Sequence, residues 1–200
     1  MTVVVPPASG SLELVRLFVN TRDIEAGTDQ LTTASELIDW LSEHFPLINI
    51  GLATPGDAAF AKKLRESLRE TMAANHDRAP VPPNARTVLN EAAEFAQLAV
   101  ELDRDGNWSL RPRATGVMAG LGSITAEVIR AMSTSEWSRL KVCANDSCQW
   151  AFYDHSRART GRWCSMQICG NQAKQKHWRS RHASTGRSQL QVTESGVAGA

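Results

Sequence analysis

The sequence predicts a mainly α chain with a small β-hairpin (α+β): a helical N-terminal domain followed by a small cysteine-bearing module. Three observations predict it. Apolar residues recur at helical spacing through most of residues 11–136. One turn-rich stretch, residues 103–107, interrupts that period between two strand-like runs. All four cysteines fall between Cys143 and Cys169, in a segment with few aliphatic side chains.

Residues 1–10 read as a flexible leader. From Leu12 to Asn20, the residues Leu14, Val15, Phe18 and Val19 suit one face of a short helix, with a strand ending near Asn20 as the alternative. Residues 25–30 form a loop. Thr33 and Glu36 make a capping-box pattern, and Leu37, Ile38, Trp40 and Leu41 supply the apolar face of the helix it starts, which ends near Pro46. Thr54 and Pro55 are an N-cap followed by proline at the first helical position. The helix they open runs to about Ala74 with Phe60, Leu64, Leu68 and Met72 at four-residue spacing. Lys62, Arg65, Glu66, Arg69 and Glu70 make its other face, expected to be solvated. Ala79–Pro83 is a linker, and the next helix begins near Asn84 on Val88, Leu89, Ala92 and Phe95. Residues 96–102 and 108–113 flank a hairpin turn in which Gly106 or Asn107 takes positive φ. A long apolar helix spans about Gly116 to Met132. Its Gly116, Gly120 and Gly122 indicate close packing against a neighbour, since no strand with a Gly-Lys-Ser/Thr ending leads into them.

Two hundred residues, 42% of them hydrophobic and 22% charged, suit one globular domain of ordinary size, or one domain with a small appendage. The formal net charge of +1 conceals a split. Residues 1–138 hold 12 basic against 18 acidic side chains, whereas residues 139–187 hold 10 basic against 2 acidic. An acidic body thus carries a basic appendage, which points to a polyanionic partner for the appendage alone. The start has neither the basic nor the apolar region of a secretory signal, and no apolar run approaches the ~18 residues needed to span a bilayer, so no membrane partner is expected. An intracellular, cytoplasmic location follows, where cysteines stay reduced and bind metal more readily than they form disulfides.

The cysteines form two pairs, Cys143 with Cys148 and Cys164 with Cys169, each with four residues between its members and fifteen between the pairs. Four thiolates complete a tetrahedral zinc shell and leave no position for a reacting water, so the expectation is one structural Zn2+ per chain. Such a metal would supply most of the folding energy of a segment too small to have its own core. Two local disulfides or buried thiols are the alternatives, disfavoured by the inferred compartment. His155, His177 and His182 are competing ligands in principle. The first pair is placed on a knuckle between strands at residues 140–143 and 149–153. Ser165 caps a helix running to about His182. Trp137, Trp150, Phe152 and Trp163 are read as a minimal core around the metal.

Trp163, Cys164, Ser165, Cys169, Gly170 and Asn171, followed by basic residues, resemble the CGNR zinc finger. Leu14, Phe18, Val19, Asn20, Thr21 and Arg22, with Leu31, Leu37, Trp40 and Leu41, resemble the start of the ABATE domain that typically precedes that finger. The resemblance covers nearly the whole chain. It implies a bacterial transcriptional regulator whose finger binds DNA, with the four cysteines as zinc ligands. Gln172 departs from it, standing where the family motif has arginine.

Double-stranded DNA is accordingly the expected partner of the basic segment. His155, Arg157, Arg159 and Arg162 come from the loop between the pairs. Lys174, Lys176, Arg179 and Arg181 come from the helix, with Asn171, Gln172 and Gln175 as base readers; Asn and Gln pair with adenine, Arg with guanine. A wheel of about 100° per residue from Cys169 puts Lys174 with Arg181, Arg179 with Gln172, and Trp178 opposite the cysteine, so the cations form no single stripe. The expected domains are 11–136, a sensor or dimerisation unit with a small-molecule effector and a homodimer as candidates; 137–184, the finger; and 185–200, a disordered tail rich in Ser, Gly and Ala. An adaptor whose finger docks an acidic protein is the competing function. Enzyme activity is not expected: Asp57, Glu66, His76 and Glu91 are tied together by no catalytic spacing, and a four-thiolate zinc has no open position.

Overall fold

The helix starts follow from local chemistry. In the computed structural model, which describes residues 5–176 and 178–182, Thr33 and Glu36 close a full capping box at the head of α2 (Ala34–His44). Thr54 and Asp57 do the same for α3 (Pro55–Ala74), with Pro55 at its first position. Each box satisfies backbone N–H groups that a helix start otherwise leaves unpaired. α1 (Leu12–Val19) precedes them, and a two-residue-per-strand hairpin, β1 (Arg22–Asp23) with β2 (Thr28–Asp29), joins α1 to α2. α4 (Pro83–Phe95) leads into an antiparallel hairpin, β3 (Leu98–Leu102) with β4 (Trp108–Pro112), and Gly106 takes φ +82° in its turn. α5 (Gly116–Ser133) follows, then a 3-10 turn (Trp137–Arg139) and a third antiparallel hairpin, β5 (Leu140–Val142) with β6 (Ala151–Tyr153). The fold is thus mainly α with small hairpins, as the periodicity predicts.

The chain divides after Cys164. In the first unit Leu12, Val15, Phe18 and Val19 of α1 are buried with Leu37 and Leu41 of α2, Leu64, Leu68 and Met72 of α3, and Leu121, Ile124 and Val128 of α5. Ala8 joins this core, its N–H donating to Glu13. The glycines of α5 are close-packed as expected. A Cβ at Gly122 would lie 2.3 Å from the Ala96 Cβ, and one at Gly120 would lie 3.0 Å from a Leu41 methyl.

Three expectations are corrected. Arg65 and Arg69 are not solvated; both are buried, because α1, α2, α4 and β5 all pack on α3 and leave it little open face. Arg65 donates two hydrogen bonds to the Asp29 carboxylate, at 2.6 and 2.8 Å, and one to Thr21 Oγ1. Phe95 is half exposed, set edge-on against Phe60 rather than in the core. The strands of the cysteine module have a core after all: Trp137, Leu140, Val142 and Ala151 belong to the same buried cluster as α1 and α3. The metal therefore need not supply most of their folding energy. Trp150 and Trp163 are only half-buried.

From Ser165 the second unit begins with Met166–Gly170 as a π-turn, in which the Gly170 N–H donates to Ser165 O at 3.0 Å. Residues 171–176 and 178–182 are helical. The expected tail at 185–200 and His177 lie outside the described residues. Among the described residues no helix is long and apolar enough to cross a membrane.

Candidate zinc centre and basic surface

The first cysteine pair hangs on the β5–β6 knuckle. The Cys143 N–H donates to Trp150 O at 2.9 Å, which closes the hairpin behind the sulfur. Asn145 O accepts from the N–H groups of Cys148 and Gln149 at 2.9 and 3.0 Å, curling the chain so that Cys148 returns toward Cys143. That curl puts Gln149 at φ +47°, a left-handed conformation uncommon for a residue with a Cβ. The second pair is set by Ser165, whose Oγ accepts from the Ile168 N–H at 3.3 Å, as the expected cap does.

The outcome is four sulfurs all within 4.8 Å of one another. Cys143, Cys148 and Cys169 are buried, and Cys164 is half-buried. Cys148 Sγ and Cys164 Sγ are 3.7 Å apart, far beyond the ~2.0 Å of a disulfide. Four Zn–S bonds of about 2.3 Å in a tetrahedron require sulfur separations near 3.8 Å, so the cluster fits zinc in both donor type and spacing. Cys143 is pushed down to about 2 by hydrogen bonds that its thiolate accepts from Cys148 and then Cys164. Cys148 is pushed up to about 12 because its S–H donates to the Cys143 thiolate, and Cys164 is pushed up for the same reason, with Cys148 adding to it. Repulsion between neighbouring sulfurs opposes a second thiolate beside Cys143, whereas a divalent cation at the centre would favour ionised cysteine ligands. Among the described residues no other group of three or more His, Cys, Asp or Glu side chains is placed to hold a metal.

A buried ion pair that the sequence did not announce shapes the loop between the pairs. Lys141 Nζ donates to Asp154 Oδ2 at 2.9 Å, and both side chains are buried. Lys141 also reaches Arg159 O at 2.6 Å and Gly161 O at 3.2 Å, while Asp154 accepts from the N–H groups of Gly161 at 2.7 Å and Ser156 at 3.0 Å. Burial alone would raise the Asp154 pKa, but hydrogen bonds from Ser156 and Lys141, and then Gly161, outweigh it and hold the group down to about 2. Gly161 is obligatory here, since a Cβ would come within 2.8 Å of Asp154 Cγ. A lysine of alternating register on a short strand followed by an aspartate thirteen residues on was the available signal; charge counting hid it.

The candidate nucleic-acid residues separate into two kinds. His155 bonds to Pro7 O at 2.9 Å and sits against Tyr153, and Arg159 (φ +55°) donates to Ser135 O at 3.2 Å. Arg157 and Arg162 are exposed on the loop. Asn171, Gln172, Lys174, Gln175, Lys176, Arg179 and Arg181 are exposed in the second unit. Asn171 Nδ2 donates back to Gln167 O at 3.0 Å. The π-turn removes the constant 100° step that the helical wheel assumed across residues 166–170. Lys174, Gln175, Trp178, Arg179 and Arg181 line a groove of ≈ 510 Å³, with Trp178 half exposed and stacked on His182 at 4.2 Å. The carboxylates and histidine considered for catalysis are engaged elsewhere. Asp57 caps α3, Glu66 pairs with Arg65 and Arg69, Glu91 pairs with Lys63, and His76 bonds to Val142 O.

Comparison with known families bears on both parts of the chain. The family described as "CGNR zinc finger" matches residues 139–182. The ABATE family, described as "Putative stress-induced transcription regulator", matches residues 12–136. No curated protein matches the sequence. The chain belongs to the ABATE family and carries a CGNR zinc finger at its C-terminal end.

Proposed function

We propose that this chain is a zinc-dependent, sequence-specific DNA-binding transcriptional regulator. Cys143, Cys148, Cys164 and Cys169 hold one structural Zn2+, and the basic loop and helix around them contact double-stranded DNA. The helical domain is the sensor or dimerisation half. The observation that carries the reading is the charge reversal centred on the four-sulfur cluster: an acidic helical body, then ten basic residues against two acidic ones. Lys141 is neutralised by Asp154, and Arg139 and Arg159 hold backbone carbonyls. Arg157, Arg162, Lys174, Lys176, Arg179 and Arg181 remain exposed. We assign phosphate contacts to these exposed side chains, and Asn171, Gln172 and Gln175 are the candidate base readers.

The test is fluorescence anisotropy of the zinc-loaded protein with duplex fragments selected from genomic DNA, titrated over salt. Six phosphate contacts correspond to a slope of log K against log salt near about −5, and a slope of several units is expected. Alanine at Lys174 or Arg157 should lower affinity on all duplexes and flatten the slope by about 1. No duplex binding at low salt overturns the reading, and capture of an acidic protein that survives nuclease treatment would then favour the adaptor.

A further inference from the structure

The zinc finger's knuckle is held by side chains that lie outside the finger. Arg69 of α3 is buried, and its guanidinium donates to four acceptors: Gln149 O at 2.7 Å, Val19 O at 2.7 Å, Glu66 Oε2 at 3.0 Å and Arg22 O at 3.3 Å. Gln149 directly follows Cys148 and carries the left-handed φ of the knuckle. On the other arm, His76 bonds through Nε2 to Val142 O at 2.7 Å, on the peptide leading into Cys143. Asn75 Nδ2 donates to Leu140 O at 2.7 Å and to Trp137 O at 2.9 Å. Asn20, just past α1, clasps Ala151 in both directions, accepting from its N–H at 2.8 Å and donating to its carbonyl at 2.9 Å. These bonds occupy backbone groups that the two short strands leave unpaired.

We infer that α3, the turn that follows it and the C-cap of α1 supply the supporting shell of the metal site, with Arg69 the positioning residue of the Cys148 arm and His76 that of the Cys143 arm. The inference rests on the reading that the four cysteines hold zinc. Metal ligands bind tightly when outer partners fix them in place, and loss of such a partner typically weakens affinity on the order of 10–100-fold. The planar guanidinium fork reaches its four acceptors at fixed angles, which a lysine ammonium on a flexible stem does not reproduce. Zinc affinity and the state of the helical core are then one linked equilibrium, so whatever shifts α3 shifts the grip on the metal.

The experiment measures zinc affinity of the full chain by competition with a chromophoric chelator, for wild type, Arg69→Met, Arg69→Lys, His76→Ala and the exposed control Glu70→Ala. Far-UV circular dichroism is recorded on each, and the visible spectrum of the Co2+-loaded form reports thiolate geometry. Arg69→Met is expected to bind zinc 10–100-fold more weakly and to alter the Co2+ spectrum, with Arg69→Lys restoring only part of either. His76→Ala, at a half-buried position, is expected to weaken binding several-fold with unchanged dichroism, and it carries the test alone if Arg69→Met does not fold. Wild-type affinity and an unchanged Co2+ spectrum in His76→Ala and in any folded Arg69 variant overturn the inference. Failure of the wild type itself to bind zinc refutes the underlying reading instead.

Discussion

Lys141 counts in the sequence as one more cation of the basic segment, yet its Nζ lies 2.9 Å from Asp154 with both side chains buried. Removing one member of such a pair strands the other charge away from water, which costs about 3–5 kcal/mol. Lys141→Met is therefore expected to lower unfolding free energy by that order in a denaturant titration, and Asp154→Asn to do likewise. The pH dependence has a definite sign. Asp154 is held at about 2 against an ordinary value of 3.8, so its contribution is fully present above pH ~4 and is lost as pH falls toward 2. The gap between wild type and Asp154→Asn should therefore narrow over that range. Arg65 and Arg69 carry the same lesson. A charged residue on a helix reads as solvated until one knows how many neighbours surround that helix, and α3 is covered by four elements.

At the scale of the element, the signals written into local chemistry were legible. The Thr33–Glu36 capping box, the Thr54 cap with the proline at the head of α3, the β3–β4 turn at Gly106 and the Ser165 cap stand where the sequence puts them, whereas the Asp57 half of the α3 box was not read. What was not legible depends on the partner that an element meets. The β5–β6 strands are too short to indicate a core of their own, and they borrow one from α1 and α3. The π-turn after Ser165 has no sequence signature that separates it from an α-turn. The α5 glycines offer a direct check. Ala is the better helix former by about 1 kcal/mol, but a Cβ at residue 122 meets the Ala96 Cβ at 2.3 Å, a stub with no freedom to move aside. Gly122→Ala should thus destabilise by about 1–3 kcal/mol in thermal unfolding. Gly120→Ala meets two Leu41 methyls at 3.0 and 3.3 Å and Ile50 Cδ1 at 3.5 Å, side-chain ends that need give only a few tenths of an ångström, and should cost less than Gly122→Ala.

For the whole molecule, the sequence showed an acidic helical body and a basic module around four cysteines, and the structure gathers those sulfurs within 4.8 Å. Spacing could nominate the cysteines; only the fold shows that the first pair grows out of strands rooted in the helical core. The basic residues likewise sort only in three dimensions, into those that build the loop and those left exposed for a partner. On the proposed reading the zinc organises the finger, so its removal should weaken DNA binding. The most direct measurement is duplex-binding anisotropy on one preparation, first zinc-loaded, then chelated, then given one equivalent of Zn2+ per chain. Binding that is lost on chelation and returns at one equivalent is the predicted result. Unchanged affinity in the chelated protein would contradict it.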